Sequence, residues 1–356
     1  MDPETPQNQA ERHLLDKPLD RNRLLVDFDP ADYGLAPLAL ELLMPGRPTP
    51  ADLYLPFYDR LQRRVIMEHA CQQGEEFRSL WRDRLLAANQ RLVYVKLDQV
   101  PRLQEYFGRF APTLVEDEDR PVKERARVIQ ELALFNLNVF FASDDPSPQA
   151  VRALVGQVRQ SVDRLTANPQ VLTRLSGLLR TDYSLYTHSV NVAMLLMALA
   201  RYLGYNDATI HAFGVGGMLH DVGRSRLPRG LISKTGPLDE AERAQVRQHP
   251  ILGHQMLAQM GAVPHDAMMI VLHHHENADG SGYPHGLKAE RTPTPARLCR
   301  LVDAFDAMTS QRPYQDARSA FEAAATMLQE SANAFGKDLV PTFIRFLGSP
   351  FVAESE

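Results

Sequence analysis

Residues 185–223 read LYTHSVNVAMLLMALARYLGYNDATIHAFGVGGMLHDVG. Apolar residues recur there at spacings of three and four, which predicts helices over 185–203 and 208–220. The longest apolar run, Val192 to Ala200, is far short of the ~20 residues that span a bilayer. His188 falls near the start of the first helix and the pair His220-Asp221 at the end of the second. That pair stands between Gly217-Met218-Leu219 and Val222-Gly223, and a charge buried in such surroundings needs a partner, which a metal ion supplies. A helix end with Gly223 as its terminating glycine is the structural alternative, and the two readings are compatible.

The same periodicity continues outward through 149–165, 169–179, 239–260, 264–275, 294–308 and 317–332. Everything from about residue 147 onward is therefore expected to be helical. Upstream, β-favouring runs at Asp52-Leu53-Tyr54-Leu55 and Leu92-Val93-Tyr94-Val95-Lys96-Leu97 alternate with helical text around Trp81 to Ala88, which reads as a small α+β module. The acidic, proline-flanked VEDEDRP at 115–121 follows, and then a helical pattern over 122–141. The expected organisation is a flexible tail over 1–22, an α+β module over 23–115, a linker and connecting helix over 116–146 and an all-helical bundle over 147–348. The fold class is mainly α. The tail has no apolar core of the kind found in secretory signals.

Composition narrows the function. Of 356 residues, 44% are hydrophobic and 23% charged, which excludes a disordered chain. The net charge of -5 gives no basic field for long nucleic acid, so an anionic ligand must meet a local basic cluster. Cys71 and Cys299 form no paired motif, which excludes a disulfide framework and a thiolate zinc site and suits a reducing, cytoplasmic compartment.

His188, His220-Asp221, His249, His274-His275 and Asp303 recur about once per helix or helix pair, so a bundle can converge them on its axis. Imidazole and carboxylate without thiolate is ligand chemistry for iron, manganese, zinc or nickel. The set is too large for one ion and suits two ions bridged by Asp221. A single histidine on an apolar helix face is more often a hydrogen-bonded core residue, so the weight rests on the set. His273-His274-His275-Glu276 directly follows Met268-Met269-Ile270-Val271-Leu272, which favours ligands over a solvated helix end. Next comes the loop Asp279-Gly280-Ser281-Gly282-Tyr283-Pro284, whose plain reading is a tight turn with a packed tyrosine.

Taken in order, these motifs resemble the HD-GYP family, a branch of the HD metal-dependent phosphohydrolases, over about residues 150–345. The resemblance is carried by His188-Ser189, Asn191-Val192, His220-Asp221-Val222-Gly223, Leu231 through Lys234, Gly236, Leu238, Glu242, His249-Pro250 and Gly253. It continues through His274-His275-Glu276, Asp279 to Pro284, Asp303, Asp306-Ala307-Met308-Thr309-Ser310 and Arg312-Pro313-Tyr314.

The resemblance implies hydrolysis of cyclic di-GMP, a bacterial second messenger, to the linear dinucleotide and onward to GMP. It also implies a metal cluster that commonly includes iron or manganese. One metal takes His188, His220, Asp221 and Asp303; the other shares Asp221 and takes His249, His274 and His275. A water between two such cations loses a proton near neutral pH and attacks phosphorus. Gly282, Tyr283 and Pro284 are implied in substrate binding, as is Arg312, whose planar fork suits a guanine edge.

Three positions depart from the family pattern. Ser184 replaces a glutamate associated with a third metal, which favours two ions. Arg224 replaces a lysine, keeping the charge on a broader group, and is expected in catalysis and phosphate contact. Gln315 replaces a basic residue after Arg312-Pro313-Tyr314. Together with Arg226, Arg229, Lys234 and Lys288, Arg224 and Arg312 supply candidates for the local basic field. The alternatives are a catalytically weak cyclic di-GMP receptor and an HD phosphohydrolase acting on mononucleotides, the latter disfavoured by the Gly282-Tyr283-Pro284 loop. The N-terminal module carries no phosphate loop and is expected to sense a ligand, bind a signalling partner or form a homodimer.

Overall fold

The structure is a computed structural model describing residues 14–16, 19, 28–59, 61–143, 147–168, 170, 185–232, 234, 236–261, 263–311 and 317–349. The chain divides into two compact units, residues 1–114 and 115–356.

The first unit is α+β. Strands β1 (Leu35–Ala39), β3 (Leu53–Asp59), β4 (Arg64–Cys71) and β6 (Leu92–Lys96) form an antiparallel sheet in the order β1-β6-β3-β4, and β2 (Arg47–Pro48) pairs with β5 (Glu76–Phe77). Leu53, Leu55 and Phe57 alternate toward the core along β3, as a sheet with one covered face requires. Helix α1 (Ser79–Ala87) buries Trp81 completely, and α2 (Val100–Val115) closes the unit.

Part of the expected flexible tail is fixed. Leu15 is fully buried, Asp16 Oδ1 accepts a 2.8 Å hydrogen bond from Trp81 Nε1, and Leu15 O accepts one from Arg84 Nη1 at 2.6 Å. The apolar Leu15 and the indole N–H, which needs an acceptor once buried, outweigh the polar composition around them. Strand β1 carries no clear strand pattern because Pro37 and the four alanine and leucine residues around it leave no alternation of polar and apolar positions.

The second unit is helical: α3 (Val122–Ala142), α4 (Pro148–Ala167), α5 (Leu185–Tyr202), α6 (Asp207–Leu219), α7 (Arg229–Ile232), α8 (Glu240–Val246), α9 (His249–Ala258), α10 (His265–His273), α11 (Thr294–Thr309), α12 (Ala320–Gln329) and α13 (Leu339–Leu347). Every residue of α5 from Thr187 to Ala200 is buried, as expected of a helix that is apolar all round. It packs against α3, α6 and α11.

Two expectations change here. The helix over 122–141 is packed into the second unit on α4 and α5, burying Ile129, Leu132, Phe135 and Phe140, which is more than a connecting helix alone requires. The segment 239–260 is two helices, because Pro250 lacks the N–H a continuous helix would use and instead occupies the first turn of α9. The pattern at 169–179 lies outside the described residues apart from Gln170.

Gly223 is not a left-handed helix terminator. It sits in a 3-10 turn, Val222–Arg226, that presses on α9, and a Cβ there would overlap the His249 carbonyl oxygen and the Gly253 amide nitrogen. This approach carries Asp221 to the start of α9. Gly223→Ala is therefore expected to cost roughly 1–3 kcal/mol, because backbone cannot yield as a side chain can. Thermal unfolding of the variant checks this, and an unchanged midpoint would refute the close approach.

Candidate metal centre

Helix termini deliver most of the predicted ligands. His188 lies in the first turn of α5, His220 caps the C-terminus of α6 with Asp221 following, His249 opens α9, and His274 caps α10 with His275 next. Asp303 projects from α11. These side chains converge in two groups, Asp221 with His249, His274 and His275, and His188 with His220 and Asp303, each with ligand atoms within 4.8 Å of one another.

Asp221 faces both groups. Its Oδ1 lies 3.1 Å from His249 Nε2 and 3.9 Å from His274 Nε2, while Oδ2 lies 3.4 Å from His220 Nε2. Across the site, His188 Nε2 is 3.0 Å from Asp303 Oδ1, and His275 Nδ1 is 4.0 Å from Asp303 Oδ2.

The tautomers are set by the backbone. His220 Nδ1 donates to Gly217 O at 2.7 Å, His249 Nδ1 to Val246 O at 2.7 Å, and His274 Nδ1 to Val271 O at 3.1 Å. A carbonyl only accepts, so in each ring Nδ1 carries the proton and Nε2 turns a lone pair into the site. Asp221 Oδ1 is buried without an aligned hydrogen bond. Lone pairs gathered around a buried carboxylate are the arrangement a cation resolves, so the donor set fits divalent metal ions.

Electrostatics agree with this arrangement. Burial pushes the Asp221 carboxyl up, but Arg224 and His220 outweigh it and hold the group well below the usual carboxylate range. Burial likewise opposes ionisation of Asp303, and the His188 hydrogen bond prevails. Burial, with neighbouring imidazoles, drives His274 well below its ordinary value; burial does the same to His275. Neutral imidazole is the ligating form.

The residues expected in substrate binding divide three ways. Arg224 Nε sits 2.9 Å from Asp221 Oδ1, so its charge is directed at the carboxylate. Tyr283 stacks on His275 with ring centroids 4.6 Å apart, and its amide donates to His275 O at 3.1 Å. Gly282 makes this fold-back possible, since a Cβ there would overlap the Asn277 amide nitrogen and the His275 carbonyl. Tyr283-Pro284 is a cis peptide bond. Arg312, Ser184 and Gln315 lie outside the described residues. Of the other bases, Lys234 is bound to Glu242 and Arg229 donates to Ala142 O at 3.0 Å, so neither is directed at Asp221.

Two positioning residues escaped the ligand pattern. Asp306 Oδ2 accepts a 2.7 Å hydrogen bond from His188 Nδ1, and Oδ1 accepts one from Asn191 Nδ2 at 2.9 Å. Its signal was present: it stands one helical turn after Asp303, on the same face. Glu276 is buried and accepts the amides of His285 at 2.8 Å and Leu287 at 2.9 Å, anchoring the loop that carries Tyr283.

Residues 165–339 match the family model described as HD domain. Over that stretch the chain is similar to an HD domain. This chain is 36% identical over 195 residues to "Cyclic di-GMP phosphodiesterase PA4108" of Pseudomonas aeruginosa, covering 55% of this chain and 46% of that protein. It is 33% identical over 154 residues to "Cyclic di-GMP phosphodiesterase response regulator RpfG" of Xanthomonas campestris pv. campestris, covering 41% and 39% respectively. The chain thus spans less than half the length of each of these relatives. Among solved structures, Bd1817, described as a HDG"Y"P protein from Bdellovibrio bacteriovorus, shares the fold at a TM-score of 0.63 and 19% identity, covering 88% of this chain and 100% of that one. No helix among the described residues is long and apolar enough to cross a membrane.

Asp306 tests the role of ligand orientation. Asp306→Ala is expected to weaken metal binding by about 10–100-fold at the group containing His188, leaving the group around His249 intact. Metal titration followed by calorimetry checks this. Equal weakening at both groups, or none, would contradict it.

Proposed function

We propose that this domain hydrolyses the phosphodiester bonds of cyclic di-GMP, the first cleavage giving linear diguanylate and a second giving GMP. The observation that carries the reading is the division of Asp221, whose two oxygens face separate imidazole groups. The names of the relatives give the substrate class. On this reading His188, His220, Asp221 and Asp303 hold one divalent ion, and Asp221, His249, His274 and His275 hold a second, iron or manganese. When bound, such ions acidify water and neutralise charge developing on the phosphoryl oxygens.

The chain's own residues supply placement. The carbonyls of Gly217, Val246 and Val271 fix three rings, so the ligand atoms need no reorganisation. Arg224 sits beside Asp221, where its guanidinium also meets an incoming phosphate. Tyr283, braced on His275, forms one wall of the substrate site. Arg312 reads guanine. In the reaction, water gives up one proton as its oxygen bonds to phosphorus, the bond from phosphorus to a ribose oxygen breaks, and that oxygen takes up a proton. Residues 147–348 act as the catalytic domain. The module over 23–115 provides a signalling or homodimer contact, in the cytoplasmic setting that suits two free cysteines.

Asp221→Asn removes the charge shared by both groups and is expected to lower bound metal and abolish turnover of cyclic di-GMP. A variant that keeps both ions and a near-normal rate would contradict the assignment. Arg312→Ala is expected to raise KM with metal content unchanged, whereas a parallel loss of metal would make the residue structural. Arg224→Lys should keep metal and not reduce turnover. If wild type and this variant both bind cyclic di-GMP, and neither hydrolyses it with iron or manganese supplied, a receptor role replaces the enzyme.

A further inference from the structure

A third convergence of ligand-type side chains lies outside the Asp221 groups. His273 at the end of α10, Glu276 and His285 each offer one atom, and these atoms lie within 4.8 Å of one another. His273 Nδ1 is 3.7 Å and His285 Nδ1 is 3.9 Å from Glu276 Oε1, with the two imidazole centroids 5.3 Å apart. These separations are too long for hydrogen bonds. The His273 side chain is only 10% exposed, and its Nδ1 is buried with no hydrogen-bond partner. The Glu276 carboxylate is wholly buried, and each oxygen accepts one backbone N–H, which leaves a lone pair on each. Among the described residues its ion pairs are to these two imidazoles.

We propose that His273, Glu276 and His285 bind a divalent transition-metal ion, zinc by preference, at a site separate from the one built on Asp221. Ligand bonds to zinc are ~2.0–2.2 Å, so two donors on one ion stand ~3.3 Å apart at a tetrahedral angle and up to ~4.2 Å when opposed. The observed 3.7 and 3.9 Å fall inside that interval, and His285, 48% exposed, is free to close the remainder. Two imidazoles and one carboxylate with an open fourth position is a zinc donor set, and its nitrogens disfavour magnesium and calcium. The consequence is mechanical. An ion there staples the end of α10 to the loop that Glu276 already holds through the amides of His285 and Leu287, and so braces Tyr283.

The test uses the full chain, with zinc ion alone as the probe. After equilibrium dialysis, elemental analysis is expected to find one fewer zinc per chain in His285→Ala than in wild type. His285 is half-exposed, so this variant is not expected to unfold. The same loss should appear when His285→Ala is added to Asp221→Asn, which separates this site from the reading proposed above and makes the outcome independent of it. Equal zinc content with and without His285→Ala in both backgrounds would overturn the proposal, leaving Glu276 as a purely backbone clamp. A zinc loss that also appears with the exposed control His265→Ala would overturn it equally, as non-specific binding.

Discussion

The second unit is organised around one buried carboxylate. Asp221 is almost completely inaccessible, and an isolated ionised group in that position would be severely destabilising. It stays charged chiefly because the Arg224 guanidinium lies 2.9 Å from its Oδ1, and the imidazoles of His220, His249 and His274 stand around it. His220 and Arg224 are its neighbours in sequence, but His249 and His274 have to be brought from later helices, and that requirement explains why three helices end or begin at the same place.

The helix ends serve twice. The last carbonyls of α6 and α10, which have no partner further along the helix, accept the Nδ1 protons of His220 and His274 and thereby direct Nε2 inward. His249 does the same with Val246 O at the break that Pro250 enforces between α8 and α9. Satisfying the backbone and orienting the ligands are therefore the same set of hydrogen bonds. Helix α5, buried from Thr187 to Ala200, supplies the rigid post behind them, holding His188 against Asp303 and Asp306.

Much of this was legible in the sequence, for physical reasons that differ between regions. Helices from 147 onward announce themselves because a packed bundle enforces a period near 3.6, and α4, α5, α6 and α11 lie within a few residues of where the periodicity puts them. The charged pair His220-Asp221 inside apolar text likewise signals a buried site. What stayed hidden depends on distant contacts. Gly223 reads as a terminator locally, yet its lack of a side chain is needed by the backbone of α9. Leu15 and Asp16 read as solvated tail until Trp81 is seen to need an acceptor. Glu276 reads as continuing the run of His274 and His275, and that its oxygens also meet amides nine and eleven residues later is not written locally.

The claim on which the account depends is that Asp221 joins two metal ions. Crystals of the chain reconstituted anaerobically with manganese or iron, measured at the absorption edge of the added metal, test it directly. Two anomalous peaks are expected on opposite sides of Asp221, one among His188, His220 and Asp303 and the other among His249, His274 and His275. A single peak, or two peaks with Asp221 ligating neither or only one, would contradict it.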